Sequence, residues 1–446
     1  MTQALGKSRS YWIQILRLRS EALWVFVGQL GTALGVLLGV KILTHFLDPL
    51  EFGRLALANT VVILVGTNLF GPLGQGFMRY WSISQDRGNV QEFAVISNRY
   101  ARFLIFVVLG VSLILFVLSA FTGWLDWLVL ITISLIVGAF TGYFGLRLSV
   151  FLAARKRKIV ALVNTGTAFL KPFIATVFVV FLVSSADCVM WGYLVSTVVI
   201  MYIVEHLYRN NLKDALQASP PMRNPEAGSS NLGREVLTFS WPFCVWGIFG
   251  WIHQSCDRWS LQAFHGSDVV GAFSVIALLA VYPLIFASGL LSNLFMPIAY
   301  ERAGELYSLN AIKSASRLLF VMTGSYVFGA LVLIVLFGIF HRVLVVLISN
   351  TNYVKFSYLL PALTISWAFF YLGEMLAGFG FLANRPKLYI LPKLTSGTIA
   401  AISTFYLSSR IGPTGVVWGL GISGFIYAVW CAIIAFRLSS SMSKNI

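Results

Sequence analysis

The chain has 446 residues, of which 58% are hydrophobic and only 11% are charged, and its formal net charge is +16. Soluble domains carry about 25% charged residues, so this composition excludes a soluble globular protein. The apolar runs are longer than about 18 residues and lack the alternation of barrel strands, which predicts an all-α polytopic membrane protein.

Twelve apolar segments are long enough to cross a hydrocarbon core of about 30 Å. Their predicted bounds are 22–46, 53–74, 101–121, 127–153, 159–184, 188–208, 237–263, 268–296, 317–340, 357–383, 388–408 and 413–436. The segment 209–236 is rich in Pro, Gly and Ser, which predicts a flexible linker. The predicted organisation is an interfacial N-terminal segment (1–21), a first lobe of six spans (22–208), the linker (209–236), a second lobe of six spans (237–437) and a tail (438–446).

The 32 lysines and arginines are distributed unequally between the two sides of the predicted membrane. Most of them fall in segments on one side, and the loops on the other side contain only Arg54, Arg342, Lys355 and Arg410. Cytoplasmic loops are enriched in Lys and Arg, so both termini are predicted to lie in the cytoplasm. The same distribution explains the positive net charge, and no nucleic-acid partner is expected.

Sequence similarity between the two halves indicates an internal duplication. The turn from Phe46 to Gly53 resembles the turn from Phe264 to Gly271, which lies 218 residues further on and has the same first and last residues. Further matches follow in the same order: Phe151-Leu152-Ala153 with Phe381-Leu382-Ala383, and Trp191-Gly192 with Trp418-Gly419. Because each half has an even number of spans, equivalent spans run in the same direction. The two halves are therefore predicted to be parallel repeats, related by an axis along the membrane normal.

Seven ionisable residues stand out within the spans. A charge at that depth costs about 3 kcal/mol on insertion. They are Lys41, Arg147, Lys171, Asp257, Arg258, Glu374 and Lys393. Lys41, Arg147 and Lys393 lie near span ends, where snorkelling to the interface is an equally good interpretation. Lys171 lies near the middle of its span, and Asn164 and Thr167 share its helix face, which predicts a cavity wall or a polar network.

The seventh span carries the longest polar stripe. Its members alternate by four and three residues: Ser240, Cys244, Gly247, Trp251, Gln254 and Arg258. His253 and Asp257 run beside it. Two interpretations are open: Asp257 pairs locally with a neighbouring base, or the stripe forms a polar wall between the lobes. Glu374 also has two open interpretations: it is a proton or cation site, or it pairs with a basic residue of the other half.

The intramembrane charges comprise five bases and two acids, which favours an anionic substrate. Arginine offers a bidentate fork for phosphate. The sequence contains no Walker loop, no Gly-rich dinucleotide fingerprint and no HExxH motif. Its four cysteines are scattered without metal-ligand spacing. Neither ATP hydrolysis nor a metal or other cofactor is expected.

Several of these segments resemble a known family. The turn from Phe46 to Ala58, Phe239-Ser240-Trp241-Pro242 with Asp257-Arg258, Val270-Gly271-Ala272-Phe273, and the segment from Gly412 to Gly419 are similar to signatures of polysaccharide exporters. The resemblance extends over nearly the whole chain in length, topology and order. It is to the oligosaccharide-lipid flippases (Wzx-type, polysaccharide transporter family) of the multidrug/oligosaccharidyl-lipid/polysaccharide (MOP) exporter superfamily.

The resemblance implies a V-shaped pair of six-helix lobes around a central cavity, and transport by alternating access rather than catalysis. Members translocate lipid-linked sugars, commonly undecaprenyl-pyrophosphate oligosaccharides, across the bacterial inner membrane for O antigen, exopolysaccharide or capsule. The expected partners are therefore a polyprenyl-linked oligosaccharide and membrane lipid. Polysaccharide polymerase and chain-length regulator proteins are further expected partners.

A pyrophosphate is anionic and the spans are net basic, so the two lines of reasoning agree. We predict that Lys171 and Arg258 contact the phosphate. The full set of candidate substrate-binding residues is Lys171, Arg258, Lys41, Arg147, Lys393, Gln254 and Asn164. The candidate residues for ion or proton coupling are Glu374, Asp257 and His253.

Three other functions compete with this one. A cation-coupled multidrug antiporter of the same superfamily is disfavoured by the excess of bases in the spans. A membrane-embedded polysaccharide polymerase or ligase would need a large outer loop with catalytic Arg or His, whereas the longest predicted outer loop, 341–356, offers only His341, Arg342 and Lys355. A scaffold without transport activity would not need polar stripes.

Overall fold

The computed structural model describes residues 2–119, 125–218, 232–303, 309–383 and 385–442, and every regular element in those ranges is helical. The α-helices are α1 (Thr2–Phe46), α2 (Pro49–Ile63), α3 (Gly71–Arg87), α4 (Val90–Ser119), α5 (Leu125–Ala153), α6 (Arg157–Phe181), α7 (Ala186–Ala218), α8 (Leu232–His265), α9 (Ser267–Ala303), α10 (Leu309–Ile348), α11 (Leu360–Leu376), α12 (Gly378–Leu382), α13 (Ile390–Ile411) and α14 (Pro413–Met442). A π-helical turn (Leu64–Leu69) joins α2 to α3, and 3₁₀ helices (Thr351–Leu359 and Pro386–Tyr389) precede α11 and α13.

Within the described ranges, 11 helical segments are long and apolar enough to cross a membrane. The remaining predicted span, 388–408, corresponds to α13, whose 22 residues rise about 33 Å, enough to cross. Its buried face carries polar side chains, among them Lys393, Ser396 and Thr404, and these lower its hydropathy. Because α13 packs between α8 and α14, those side chains meet protein rather than lipid.

The helices are longer than the predicted spans. The interfacial segment and the first span form one continuous helix, α1. Much of the predicted linker is helical, because α7 continues to Ala218 and α8 begins at Leu232; residues 219–231 lie outside the described ranges. The predicted outer loop 341–356 is also almost entirely helical, since α10 reaches Ile348 and a 3₁₀ helix follows.

Small residues allow close packing of α1 on α6 in the first lobe. Gly28, Gly31, Gly35 and Gly39 form one face of α1, and a Cβ at each would lie 2.7–3.0 Å from Ala161, Thr165, Ala168 and Pro172 of α6. Such small-residue faces bring membrane helices together without a hydrophobic driving force. The corresponding pair in the second lobe, α8 and α13, makes its close approach at Gly397, which faces the backbone of Phe249.

The two lobes meet at the end that carries the α1–α2 and α8–α9 turns. We call it the outer end, following the orientation predicted from the basic residues, and the opposite end the inner end. There α2 crosses α9 backbone on backbone. A Cβ on Gly53 would lie 1.8 Å from the carbonyl oxygen of Ser267, and a Cβ on Gly271 would lie 1.8 Å from that of Pro49. These four residues are equivalent pairs in the repeated turn, so a pseudo-twofold axis passes between them.

Hydrogen bonds and a shared apolar core reinforce the contact at the outer end. Asn350 Nδ2 donates to the carbonyl of Thr44 at 2.5 Å, and Tyr353 Oη donates to that of Leu47 at 2.9 Å. The core of the second lobe continues into the outer half of the first lobe. The inner half of the first lobe has a separate core, which takes from the second lobe only the start of α8. The lobes are therefore joined at the outer end, and the start of α8 joins them at the inner end as well, where Arg87 pairs with Glu235 and Arg79 lies over the ring of Phe239.

The glycine crossing leads to a stability prediction. Gly271→Ala places a methyl group against a backbone carbonyl that cannot move aside, so we expect a loss of about 1–3 kcal/mol and a lower Tm of the purified protein. Gly329→Ala in α10 is the matched control, because nothing lies within 4 Å of its added Cβ. Alanine favours helix there, so the control keeps or raises the Tm. Equal Tm values for both variants would contradict the prediction.

Candidate functional site

Lys171 of α6 lies deep inside the bundle, yet part of its side chain remains accessible. An ammonium group has three donors to satisfy. Among the described residues, Lys171 Nζ makes one long hydrogen bond, to Thr141 Oγ1 at 3.5 Å, and lies 5.9 Å from the ring centre of Tyr193. A cation at membrane depth with so few partners is suited to an anionic ligand.

A row of four side chains connects Lys171 to the other lobe. Tyr193 of α7 lies close enough to Tyr282 of α9 to interact electrostatically, and Tyr282 interacts in the same way with Arg258 of α8. We call these four residues, Lys171, Tyr193, Tyr282 and Arg258, the central row. The two predicted phosphate-binding cations are therefore linked through two tyrosines, one from each lobe.

Arg258 is paired locally but not saturated. Its Nη1 donates to the carbonyl of Gln254 at 3.0 Å and to Asp257 Oδ1 at 3.3 Å, and Asp257 is fully buried. This is the local pairing that the sequence left as one of two interpretations. Arg258 Nε and Nη2 make no hydrogen bond with the described residues, so one edge of the guanidinium group is free for a ligand.

The polar stripe of α8 faces the first lobe. Trp251 Nε1 donates to the carbonyl of Thr60 at 2.8 Å, and a Cβ on Gly247 would lie 2.8 Å from Asn68 Oδ1 in the π-helical turn. π-Helical turns inside α-helices occur frequently at functional sites. Gln254 on this stripe is exposed, as is Asn164 on α6.

Two of the other candidate cations are held away from the central row. Lys41 Nζ donates to the carbonyls of Val346 and Ser349 at the end of α10, at 3.2 and 2.6 Å, and so joins the lobes at the outer end. Arg147 is 1% exposed and does not snorkel. It binds Glu205 at 3.1 Å and Asn98 at 2.5 Å within the first lobe.

The third, Lys393, forms an ion pair with Glu374 inside the second lobe. Tyr427 Oη donates to the same carboxylate oxygen at 2.8 Å. The rings of Phe370 and Trp246 lie 4.1 and 4.8 Å from the ammonium group. Lys393 is 3% exposed and does not snorkel. Glu374 therefore has a basic partner, as one interpretation held, but the partner comes from the same half.

His253 completes this second-lobe cluster. Its ring stacks on Phe370 at 4.2 Å, and Nδ1 lies 3.1 Å from Ser396 Oγ. Tyr371 interacts electrostatically with both Glu374 and Tyr282, and so connects the cluster to the central row. In the part of the chain that the structure describes, no three His, Cys, Asp or Glu side chains are close enough to hold a metal ion.

The sequence reasoning missed Glu205, Tyr193 and Tyr282. Glu205 could have been found, because it lies within the predicted span 188–208 and an intramembrane carboxylate indicates a paired base. The two tyrosines carry no such signal. The chain has 17 tyrosines, and nothing in the sequence distinguishes these two from those that pack in cores.

Solved structures share this architecture. An outward-facing multidrug resistance MATE family transporter of the MOP superfamily has a TM-score of 0.68 at 12% identity over 96% of each chain. The MATE multidrug transporter DinF-BH in complex with R6G has 0.63 at 17% identity, over 94% of this chain and 95% of that one. Lipid II flippase MurJ in an inward closed conformation has a TM-score of 0.62 at 12% identity, over 95% of this chain and 90% of that one. At these identities the likeness shows the fold, which is that of MOP-superfamily transporters.

The family is shown by the sequence itself. Residues 18–301, more than half of the chain, match the family model described as polysaccharide biosynthesis protein, and the chain belongs to that family. No curated protein sequence matches it significantly. Family and fold together support a multi-pass membrane flippase or exporter.

The Glu374–Lys393 pair leads to a prediction that separates a packing role from substrate contact. Lys393→Met leaves a carboxylate without its base, which costs about 3–5 kcal/mol for a buried pair. The double variant Lys393→Met/Glu374→Met removes both charges and should recover most of the lost Tm. The measurement is the Tm of the purified proteins, and a double variant less stable than Lys393→Met would contradict the pairing.

Proposed function

We propose that this protein is a flippase for lipid-linked oligosaccharides. It would carry undecaprenyl-diphosphate oligosaccharides from the cytoplasmic to the outer leaflet of a bacterial inner membrane, for assembly of a surface polysaccharide. The observation that carries the proposal is the under-coordinated Lys171 ammonium group inside the bundle. Membership of a polysaccharide biosynthesis family supports the saccharide, and the two cations of the central row support the diphosphate.

The head group would lie between the lobes while the polyprenyl tail remains in the bilayer. Lys171 contributes a point charge from the first lobe, and Arg258 contributes a free guanidinium edge from the second. A ligand that binds both residues favours the state in which the lobes are close around it, because only that state supplies both contacts.

The energy for transport would be coupled through the second lobe. Glu374 is the candidate proton carrier, because Tyr371 connects it to the central row and its carboxylate remains partly exposed. Asp257 and His253 are weaker candidates, although each has one buried atom, Oδ2 and Nε2, without a partner among the described residues. The membrane potential alone is the alternative source, at about 2.3 kcal/mol per charge per 100 mV.

A multidrug antiporter is the main competing function, since several structures of similar fold are multidrug transporters. The charges disfavour it. The central row ends in two cations, and the two carboxylates near it are already paired, Asp257 with Arg258 and Glu374 with Lys393. A cationic drug would find repulsion at both ends of the row.

The first functional prediction concerns the central row. Lys171→Met and Arg258→Met each remove a charged hydrogen-bond donor, which is worth about 1.5–3 kcal/mol and corresponds to about 10- to 100-fold slower export. The measurement is surface polysaccharide produced by a deletion strain of the host that expresses each variant.

The control is Lys213→Met, an exposed lysine near the end of α7 that lies outside the row. It should export at the wild-type rate. Normal export by Lys171→Met or Arg258→Met, with normal amounts of protein in the membrane, would remove that residue from the proposal.

The second functional prediction concerns coupling. Glu374→Gln cannot exchange a proton, so we expect its remaining export to be insensitive to an uncoupler that collapses the proton gradient. Wild-type export should fall on the same treatment. A Gln variant as sensitive to the uncoupler as the wild type would exclude Glu374 as the carrier.

A further inference from the structure

Tyr193 and Tyr282 differ from most deep tyrosines in this protein. Within the described part of the chain, neither hydroxyl makes a hydrogen bond. Both hydroxyls remain accessible to a molecule the size of water. Four other deep tyrosines donate hydrogen bonds inside the protein: Tyr143, Tyr326, Tyr353 and Tyr427. The hydroxyls of Tyr208 and Tyr389 also have no partner among the described residues, but they are buried beyond the reach of a ligand. The hydroxyl of Tyr371 has no partner there either, but Tyr371 lies beside Glu374 in the second-lobe cluster and is not a member of the central row.

A phenol this deep normally finds a hydrogen-bond partner, because an unsatisfied hydroxyl loses its hydration without compensation. Both hydroxyls open onto accessible space inside the bundle, so the missing partner is a molecule that enters this space. A ligand with hydroxyl groups can bond to such phenols as water does, and so it can displace water without leaving them unpaired.

The position of the two rings indicates which part of a ligand they meet. They lie between Lys171 and Arg258 in the central row, and they come from opposite lobes. The cations at the ends of the row suit the phosphate oxygens. The neutral phenols between them both donate and accept, as sugar hydroxyls do, and their faces can pack against the C–H face of a sugar ring.

We propose that Tyr193 and Tyr282 bind the saccharide part of the transported head group, one tyrosine from each lobe. This inference rests on the proposed function and deepens it. The ligand class is a sugar attached directly to a lipid diphosphate, because the cations and the phenols occupy one continuous row. The two tyrosines then distinguish a loaded lipid carrier from the same carrier without its sugar.

The test measures binding to wild-type, Tyr193→Phe and Tyr282→Phe proteins purified in lipid nanodiscs. Two probes are used: the lipid-linked saccharide that accumulates in host cells lacking this protein, and undecaprenyl diphosphate without a sugar. Each Phe variant should bind the saccharide probe about 3- to 10-fold more weakly than the wild type, as expected for one lost hydrogen bond. Binding of the sugar-free probe should be unchanged.

Tyr326→Phe is the matched control. It removes a hydroxyl that bonds the carbonyl of Ala368 within the second lobe, so it should lower the Tm and leave both affinities unchanged. Wild-type affinity of the Phe variants for the saccharide probe would overturn the inference. Equal losses for both probes would also overturn it, because the hydroxyls would then contact the diphosphate.

Failure of the proposed function gives a different result. If cells lacking the protein accumulate no lipid-linked saccharide, or if the wild type binds neither probe, the flippase proposal fails and this inference fails with it. If the wild type binds both probes and Lys171→Met weakens both, the flippase proposal stands, and the tyrosine variants alone decide the inference.

Discussion

The crossing of α2 over α9 is the contact on which the arrangement of the two lobes depends. Membrane helices gain no hydrophobic energy from each other in lipid, so they associate through close packing and hydrogen bonds. Gly53 and Gly271 permit backbone contact where any side chain would collide. That contact brings the ends of α1 and α10 near enough for Asn350 and Lys41 to bond across the lobes. The space between the lobes is closed at the outer end by these contacts.

The intramembrane charges fall into two groups, those paired within one lobe and those of the central row. Arg147 with Glu205, and Lys393 with Glu374, are paired within a single lobe and surrounded by aromatic rings. Such pairs keep each lobe rigid, because breaking one strands a buried charge. The central row is the opposite case, since its members come from both lobes and keep unused donors. A rigid lobe on each side of an unsatisfied row is the arrangement that a moving two-lobed carrier requires.

The sequence predicts the fold well, because long apolar runs and the repeated turn depend on local composition alone. It also shows that Lys171 and Arg258 lie within spans, since a charge in an apolar run is visible without a structure. It does not predict which charges meet. In the sequence, Arg147 and Lys393 look like Lys171. In the structure, each is paired with a residue of a different span, Arg147 with Glu205 and Lys393 with Glu374. The predicted spans are also shorter than the helices, because polar residues do not end a helix where it leaves the membrane.

The symmetry of the glycine crossing bears on where the protein came from. Pro49 of one repeat meets Gly271 of the other, and Ser267 meets Gly53, so each copy of the turn offers the surface that the other copy needs. A contact of this kind is self-complementary, as in an isologous dimer. One six-helix unit with this turn could pair with a second identical unit before the two were fused into one chain. The two halves now differ at equivalent positions, since α1 has Gly35 and Gly39 of its glycine face where α8 has His253 and Asp257.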